Sequence, residues 1–380
     1  MVAALDLVGN PSSVHAEGRR LRGMIEVARE AIADLVGAKV SEIVFTSGAT
    51  EANVSVLARG YDRAFRAGIE HDSVLAPIRA SGAEVVELPV DADGVIDVAA
   101  ARAAIETVAG LMPRSVLALQ LANNESGVIQ PVAEIASMAR AAGIHVHCDA
   151  VQACGRIDVD VAALGVDTLA VSAHKLGGPR GIGALVVRDG FELPALITGG
   201  GQERRRRAGT EDVAAIVGFG VAAAVAQTRG LTEMARIAAL RDRLEAEIQA
   251  ITPDAVVLGG SAHRLANTSA IAVPGRPAEI TLIKLDLAGI AVSSGSACSS
   301  GKVGRSHVLA AMGIEPDLAR GMIRISLGPA TTGADVDRFI AAWRRIHDTQ
   351  RVAAGSANPT VTIHPKDMAG SVWAARGMGD

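Results

Sequence analysis

The chain has 380 residues, 49% of them hydrophobic and 21% charged, which excludes wholesale disorder and supports a sizeable core in two domains or one large α/β domain. Aromatics make up 2% and the formal net charge is -4, so a base-stacking surface, direct nucleic-acid binding and attraction to an anionic membrane are all disfavoured. The three cysteines include no CxxC pair, which argues against a disulfide framework or a zinc site, and no metal is expected.

Residues 16–36 predict an amphipathic helix, with Leu21, Ile25, Ala28, Ile32 and Leu35 at helical spacing. Residues 43–46 predict a short strand, followed by the tight turn Ser47-Gly48-Ala49-Thr50 and a helix from Glu51. Further strands are predicted at 84–89, 116–121, 144–148, 168–171 and 184–187, with helical patterns such as 131–142 between them. This alternation predicts a mostly parallel sheet covered on both faces. The pattern changes after Gly230. Thr232 fits the N-cap of a long helix carrying Met234, Ile237, Leu240, Leu244 and Ile248. Strand-like runs at 256–258 and 268–273 and a last helix around 335–346 predict a smaller α+β unit. Residues 353–380 show no period and read as a mobile tail. The apolar start, residues 1–9, is too short and uncharged for a signal peptide. No run reaches the ~18 apolar residues of a membrane span, so a reducing cytoplasm is the expected compartment.

Chemistry concentrates in a few motifs. The turn at 46–51 sets hydroxyls and a glycine at a helix N-terminus, which suits a phosphate cradle or, equally, an ordinary capped βα loop. Its glycine spacing fits neither a Walker loop nor a dinucleotide fingerprint. Asp149 closes an apolar strand, where ligands of open α/β sheets sit. It suits a protonated ring nitrogen, with Gln152 in reach of the same ligand; alone it fits a helix N-cap as well. Lys175 closes the next strand after Ser172 and His174. A lysine desolvated there has its pKa lowered, which suits Schiff-base chemistry; a snorkelling lysine is the alternative. Cys298 sits among serines and glycines, as a group-transfer nucleophile on a loop would. Cys148 and Cys154, in or near an apolar strand, read as structural. Arg324, a lone charge in a strand-like stretch, fits a carboxylate-binding fork or a structural salt bridge. The arginines at 204–207 follow three glycines and read as a solvated face or a contact to an anionic ligand or partner.

Together these motifs resemble the group I cysteine desulfurases, fold-type I enzymes dependent on pyridoxal phosphate. Residues 9–15 are similar to the family's GNPSS-[IVM]-H pattern, residues 46–51 to its TSGATE and Glu70-His71 to its EH. Residues 123–127 are similar to NNExG, and 149–152, 172–175, 199–210 and 293–298 also have counterparts in the family's order.

The resemblance implies a large pyridoxal-phosphate-binding domain over 16–230. It implies a small domain of 1–15 and 231–352 that carries the Cys298 loop. It also implies site roles. Lys175 anchors the cofactor and moves the Cα proton. Asp149 pairs with the pyridine nitrogen. Gln152 and Asn124 lie near the phenolate oxygen, and His71 stacks on the ring and assists proton transfer. Ala49, Thr50, Ser172 and His174 hold the phosphate, joined by Thr210 from the second subunit of a homodimer. Arg324, with Asn124, binds the carboxylate of L-cysteine. Cys298 takes the sulfur and passes it to an acceptor protein, serving iron–sulfur assembly, tRNA thiolation or DNA phosphorothioation.

Selenocysteine lyase, cysteine sulfinate desulfinase and a catalytically impaired partner-binding scaffold stay open as alternatives. Three departures stand out. Eight residues precede Gly9, where the family's pattern has a longer opening. The segment between Thr50 and His71 is shorter than the family's, which places a central strand there in question. Arg205 stands where the family prefers glycine.

Overall fold

The structure is a computed structural model that describes residues 1–108, 114–295 and 306–355. The first part of the chain runs α1 Val2–Leu5, α2 Ala16–Val36, β1 Ile43–Thr46, α3 Ala49–Leu57, β2 Arg63–Ala67, α4 Asp72–Ser81, β3 Glu84–Leu88, α5 Val98–Glu106, β4 Ser115–Gln120, α6 Val132–Ala141, β5 His145–Asp149, α7 Val161–Leu164, β6 Thr168–Ser172 and β7 Gly183–Val187. These strands form one sheet in the order β1-β7-β6-β5-β4-β2-β3. The pairs among β6, β5, β4, β2 and β3 are parallel, and β7 is antiparallel to both β6 and β1. The expected mostly parallel α/β sheet is therefore present.

Alternation along the strands explains why helices cover both faces. Leu117 and Leu119 of β4 join a core with Ile25 and Ile32 of α2, Ile135 of α6 and Phe219. Val116 and Ala118, one residue out of step, join a second core with Val56 of α3 and Ile78 of α4. A period of two sends successive side chains to opposite faces, so each face needs its own helical cover. Helix α2 starts at His15, whose ring accepts from Gly18 N–H, and stops at Gly37, whose φ of 62° suits a residue without Cβ.

Strand β2 fills the place of the strand that the short Thr50–His71 segment had put in question, and lies next to the sheet's edge. Its sequence, Arg-Ala-Phe-Arg-Ala, lacks an apolar run. Its arginines are matched across the sheet instead, Arg63 to Glu84 at 2.6 Å and Arg66 to Glu87 at 3.0 Å. Cross-strand charge pairs of this kind support a strand that hydropathy alone misses.

The rest of the chain runs α8 Val213–Ile251, β8 Val256–Val257, β9 Thr268–Ala272, α9 Ala278–Leu287, β10 Ser293–Ser294, α10 His307–Ala311, α11 Pro316–Arg320, β11 Ile323–Ser326 and α12 Gly333–Gly355. One helix thus covers the position where a new start at Thr232 was expected. Its halves, Val213–Thr228 and Glu233–Ile251, are bent by 78°. Near the start of α8 a Cβ on Gly220 would lie 2.5 Å from Ala28, so this glycine lets α8 pack directly on α2. The antiparallel sheet β10-β11-β9-β8 packs with α8 and α12 around Ile237, Leu244, Ile271 and Trp343. Of the tail expected at 353–380, residues 353–355 continue α12 and the rest lies outside the described residues.

Candidate active site

A cavity of about 510 Å³ opens where β4, β5 and β6 end, lined by their last residues Gln120, Asp149 and Ser172. Carboxyl ends of parallel strands are where open α/β sheets bind ligands. Of the expected site residues, Ala49, Thr50, His71, Asn124, Asp149, Gln152, Ser172, His174, Lys175 and Arg324 all line this cavity. Thr210 does not line it and is exposed. Cys298 lies outside the described residues.

Lys175 ends a single 3-10 turn, Ala173–Lys175, that follows β6 directly. Arg156 donates to the Lys175 carbonyl oxygen at 3.0 Å and pins that backbone. Asp149 is 7% exposed. Its Oδ1 accepts from Val151 N–H at 3.1 Å and its Oδ2 from Asn53 Nδ2 at 2.9 Å.

At one end of the cavity, α3 begins at Gly48 without any side-chain cap. Its first N–H groups and the positive end of its dipole therefore meet the cavity at Ala49 and Thr50. A Cβ on Gly183 would come within 2.8 Å of Gly48, so this glycine allows β7 to lie against the turn. Glu51 also lines the cavity; it accepts from Ser47 N–H at 2.8 Å and pairs with Arg207. The Ser172 hydroxyl lies 2.8 Å from His174 Nδ1. Burial, together with the charges of Lys175 and Arg180, lowers the pKa of His174. Uncapped N–H groups, hydroxyls and nearby cations make this end suited to an anion.

At the other end Arg324, on β11, donates from Nη1 to the Asn124 carbonyl oxygen at 2.7 Å. Its Nε is buried and has no hydrogen-bond partner among the described residues. A guanidinium with an unused N–H suits a carboxylate.

Cys148 and Cys154 are fully buried, and burial raises both thiols, Cys154 to about 12. Neither is poised as a nucleophile. The arginines at 204–207 tie the 199–210 loop to its own chain. Arg207 pairs with Glu51 at 3.0 Å, Arg206 reaches the Ser41 carbonyl and Arg204 the Val40 carbonyl. The adjacent Glu203 carboxylate accepts from Arg29 at 2.7 and 2.9 Å and from Phe45 N–H at 2.9 Å.

Sequence reasoning missed Ser73, Gln120 and Arg180, which line the cavity, and Asn53 and His147 behind it. His147 had a legible signal: it stands two residues before Asp149 on one strand and so shares its face.

The residues fit pyridoxal phosphate: an anion site, a buried carboxylate and a lysine all face one cavity at the ends of the parallel strands. That combination defines a fold-type I enzyme dependent on this cofactor. The family model described as aminotransferase class-V matches residues 4–339, and the chain belongs to that family. It is similar to a cysteine desulfurase of Cereibacter sphaeroides, 42% identical over 90% of this chain and 89% of that protein. It is likewise similar to the cysteine desulfurase IscS of Dictyoglomus turgidum, 40% identical over 90% of this chain and 88% of that one. Among solved structures, the NifS-like protein of Rickettsia africae superposes with a TM-score of 0.84 at 34% identity, covering 91% of this chain and 94% of that one.

Proposed function

We propose that the protein is a pyridoxal-phosphate-dependent cysteine desulfurase that converts L-cysteine to L-alanine and carries the sulfur as a persulfide on Cys298 to an acceptor protein. The observation that carries this reading is the meeting of Lys175, Asp149 and Arg324 in one cavity. When bound, pyridoxal phosphate supplies an electron sink for the pair released at the substrate Cα. Arg324, with Asn124, orients the substrate carboxylate through its unused N–H. The Lys175 amine anchors the aldehyde carbon and moves the Cα proton. Asp149 holds a proton at the ring nitrogen. The Ala49 and Thr50 N–H groups, Ser172 and His174 take the phosphate. Gln152 and His71, which also line the cavity, would hold the cofactor's ring.

Cys298, kept reduced in the cytoplasm, attacks the substrate sulfur as a thiolate. An S–S bond forms as the Cβ–S bond breaks; the electron pair stays on Cβ, which takes up a proton to give alanine. The working form is a homodimer in which Thr210 of one copy reaches the other's phosphate. This agrees with Thr210 being exposed and away from its own chain's cavity.

Cys298→Ser tests the reading. The variant is expected to keep the visible absorbance band that borohydride removes and to lose persulfide formation from cysteine. Sulfur delivery at the wild-type rate from that variant would sink the mechanism. A wild-type protein without such a band would favour a binding scaffold.

A further inference from the structure

Asn53 lies in the second turn of α3 with its side chain fully buried. Its Nδ2 is 2.9 Å from Asp149 Oδ2 and 2.8 Å from Ser73 Oγ. Its Oδ1 is 2.9 Å from His147 Nε2, and His147 Nδ1 is 2.9 Å from Thr168 Oγ1. Ser73 Oγ is 2.8 Å from His71 Nδ1, and Ser73 N–H donates to that same nitrogen at 3.1 Å.

One end fixes the direction of every bond in this chain. A carboxylate only accepts, so the amide nitrogen of Asn53 faces Asp149 and gives its second N–H to Ser73. The Asn53 carbonyl then faces His147, which presents Nε2–H and accepts the Thr168 hydroxyl at Nδ1. His147 is fully buried, and burial lowers it to about 3, so it stays neutral. Ser73 N–H donates to His71 Nδ1, so that nitrogen bears a lone pair, and the Ser73 hydroxyl, which accepts from Asn53, gives its own proton to the same nitrogen. That nitrogen receives two donors, one from the backbone of α4, and has no place for a proton.

We propose that Asn53 is a positioning residue that joins Asp149 to His71 and fixes the His71 imidazole in its neutral Nε2–H form. His71 lines the cavity. In this form it presents a donor there without adding a cation beside Lys175 and Arg324. Charging His71 requires the Ser73 hydroxyl to turn away and the Ser73 N–H to lose its acceptor. The other charged groups around His71 are Glu70 and Asp72 on either side, Glu125 from the 123–127 turn, and Asp149, Lys175 and Arg324 from β5, the 3-10 turn and β11. Removing only the Ser73 hydroxyl leaves all of them in place.

The inference rests on the pyridoxal-phosphate reading only for what Asp149 and His71 face. The test is nitrogen-15 histidine NMR of the full chain, with and without pyridoxal phosphate, following the His71 ring nitrogens against pH. In the wild type His71 is expected to carry its proton on Nε2 rather than Nδ1. Asn53→Ala and Ser73→Ala are expected to admit the Nδ1–H form and raise the His71 midpoint by about one pH unit. Ser73→Thr, which keeps the hydroxyl, should restore wild-type behaviour. Circular dichroism checks that each variant is folded. A wild-type His71 protonated at Nδ1, or an unchanged midpoint in folded Ser73→Ala, overturns the proposal. The expected His71 behaviour in a protein that binds no pyridoxal phosphate would support it while sinking the cofactor reading.

Discussion

Glu125 illustrates what a single buried carboxyl does in this site. It is 4% exposed, and Ser306 Oγ donates to its Oε2 at 2.6 Å. Burial pushes it up from 4.5 to about 7, against the opposing pull of Ser306 and Arg324. The folded chain therefore holds a proton that the unfolded chain releases near pH 4.5. The stability this gives is complete below about 4.5 and is lost as pH rises through about 7. Glu125→Gln, which stays neutral and can still accept from Ser306, removes that dependence. Relative to the wild type, its melting temperature is expected to rise by a few degrees between pH 5 and 8, for a linkage of roughly 2–3 kcal/mol. Thermal scans at several pH values check this, and parallel pH profiles would refute it. Asp149, Ser172 and Lys175 were legible because they stand at or just past the ends of predicted strands, and Thr50 because it opens a predicted helix, while His71, Asn124 and Thr210 came from the family resemblance. Sequence motifs could not expose Glu125 as a titrating group or Asn53 as a link. Those properties come from burial and from partners up to 181 residues away in the chain.

At the scale of elements, the seven-stranded sheet was legible wherever a strand is an apolar run, as in β4 and β6. Strand β2 was not, because its arginines are matched by charges on β3, and the pairing partner is unknown until the strands are neighbours. The 199–210 loop shows a second kind of information beyond hydropathy. Glu203, Arg204 and Arg205 have φ values of 45°, 55° and 66°, three consecutive non-glycine residues in the left-handed region. Glu203 is held there by its bonds to Arg29 and Phe45. No comparable anchor holds Arg205, which is exposed and occupies the position where the family's pattern prefers glycine. Left-handed backbone costs an L-residue about 1–2 kcal/mol, and glycine gives back roughly 0.5–1 of that in the unfolded state. Arg205→Gly is therefore expected to stabilise the fold by up to about 1 kcal/mol, or about 2 °C in melting temperature. A drop in melting temperature would mean that the arginine side chain contributes more than the backbone strain removes.

For the whole molecule, the decisive feature is where the expected site residues fall relative to the cavity. Its cavity gathers ten of the expected residues, yet Thr210, at the end of the arginine-anchored loop, stays exposed and outside it. Glu203 is tied to α2 and β1, Arg206 to the Ser41 carbonyl and Arg207 to α3, so the loop that ends at Thr210 is held against its own chain. This favours a shared site and gives an experiment that a self-contained chain cannot mimic. Lys175→Ala chains lack the anchoring amine, and Thr210→Ala chains lack the phosphate contact offered to a neighbour. In a hybrid of the two, the cavity of the Thr210→Ala chain has its own Lys175 and receives an intact Thr210 from the Lys175→Ala chain. Co-expressed and purified as hybrids through two different tags, these dimers are expected to regain one site with wild-type cofactor affinity, which neither homodimer has. If Thr210 instead serves its own chain, the hybrid binds pyridoxal phosphate no more tightly than the Thr210→Ala homodimer. Cofactor titration by absorbance separates the outcomes without relying on sulfur transfer.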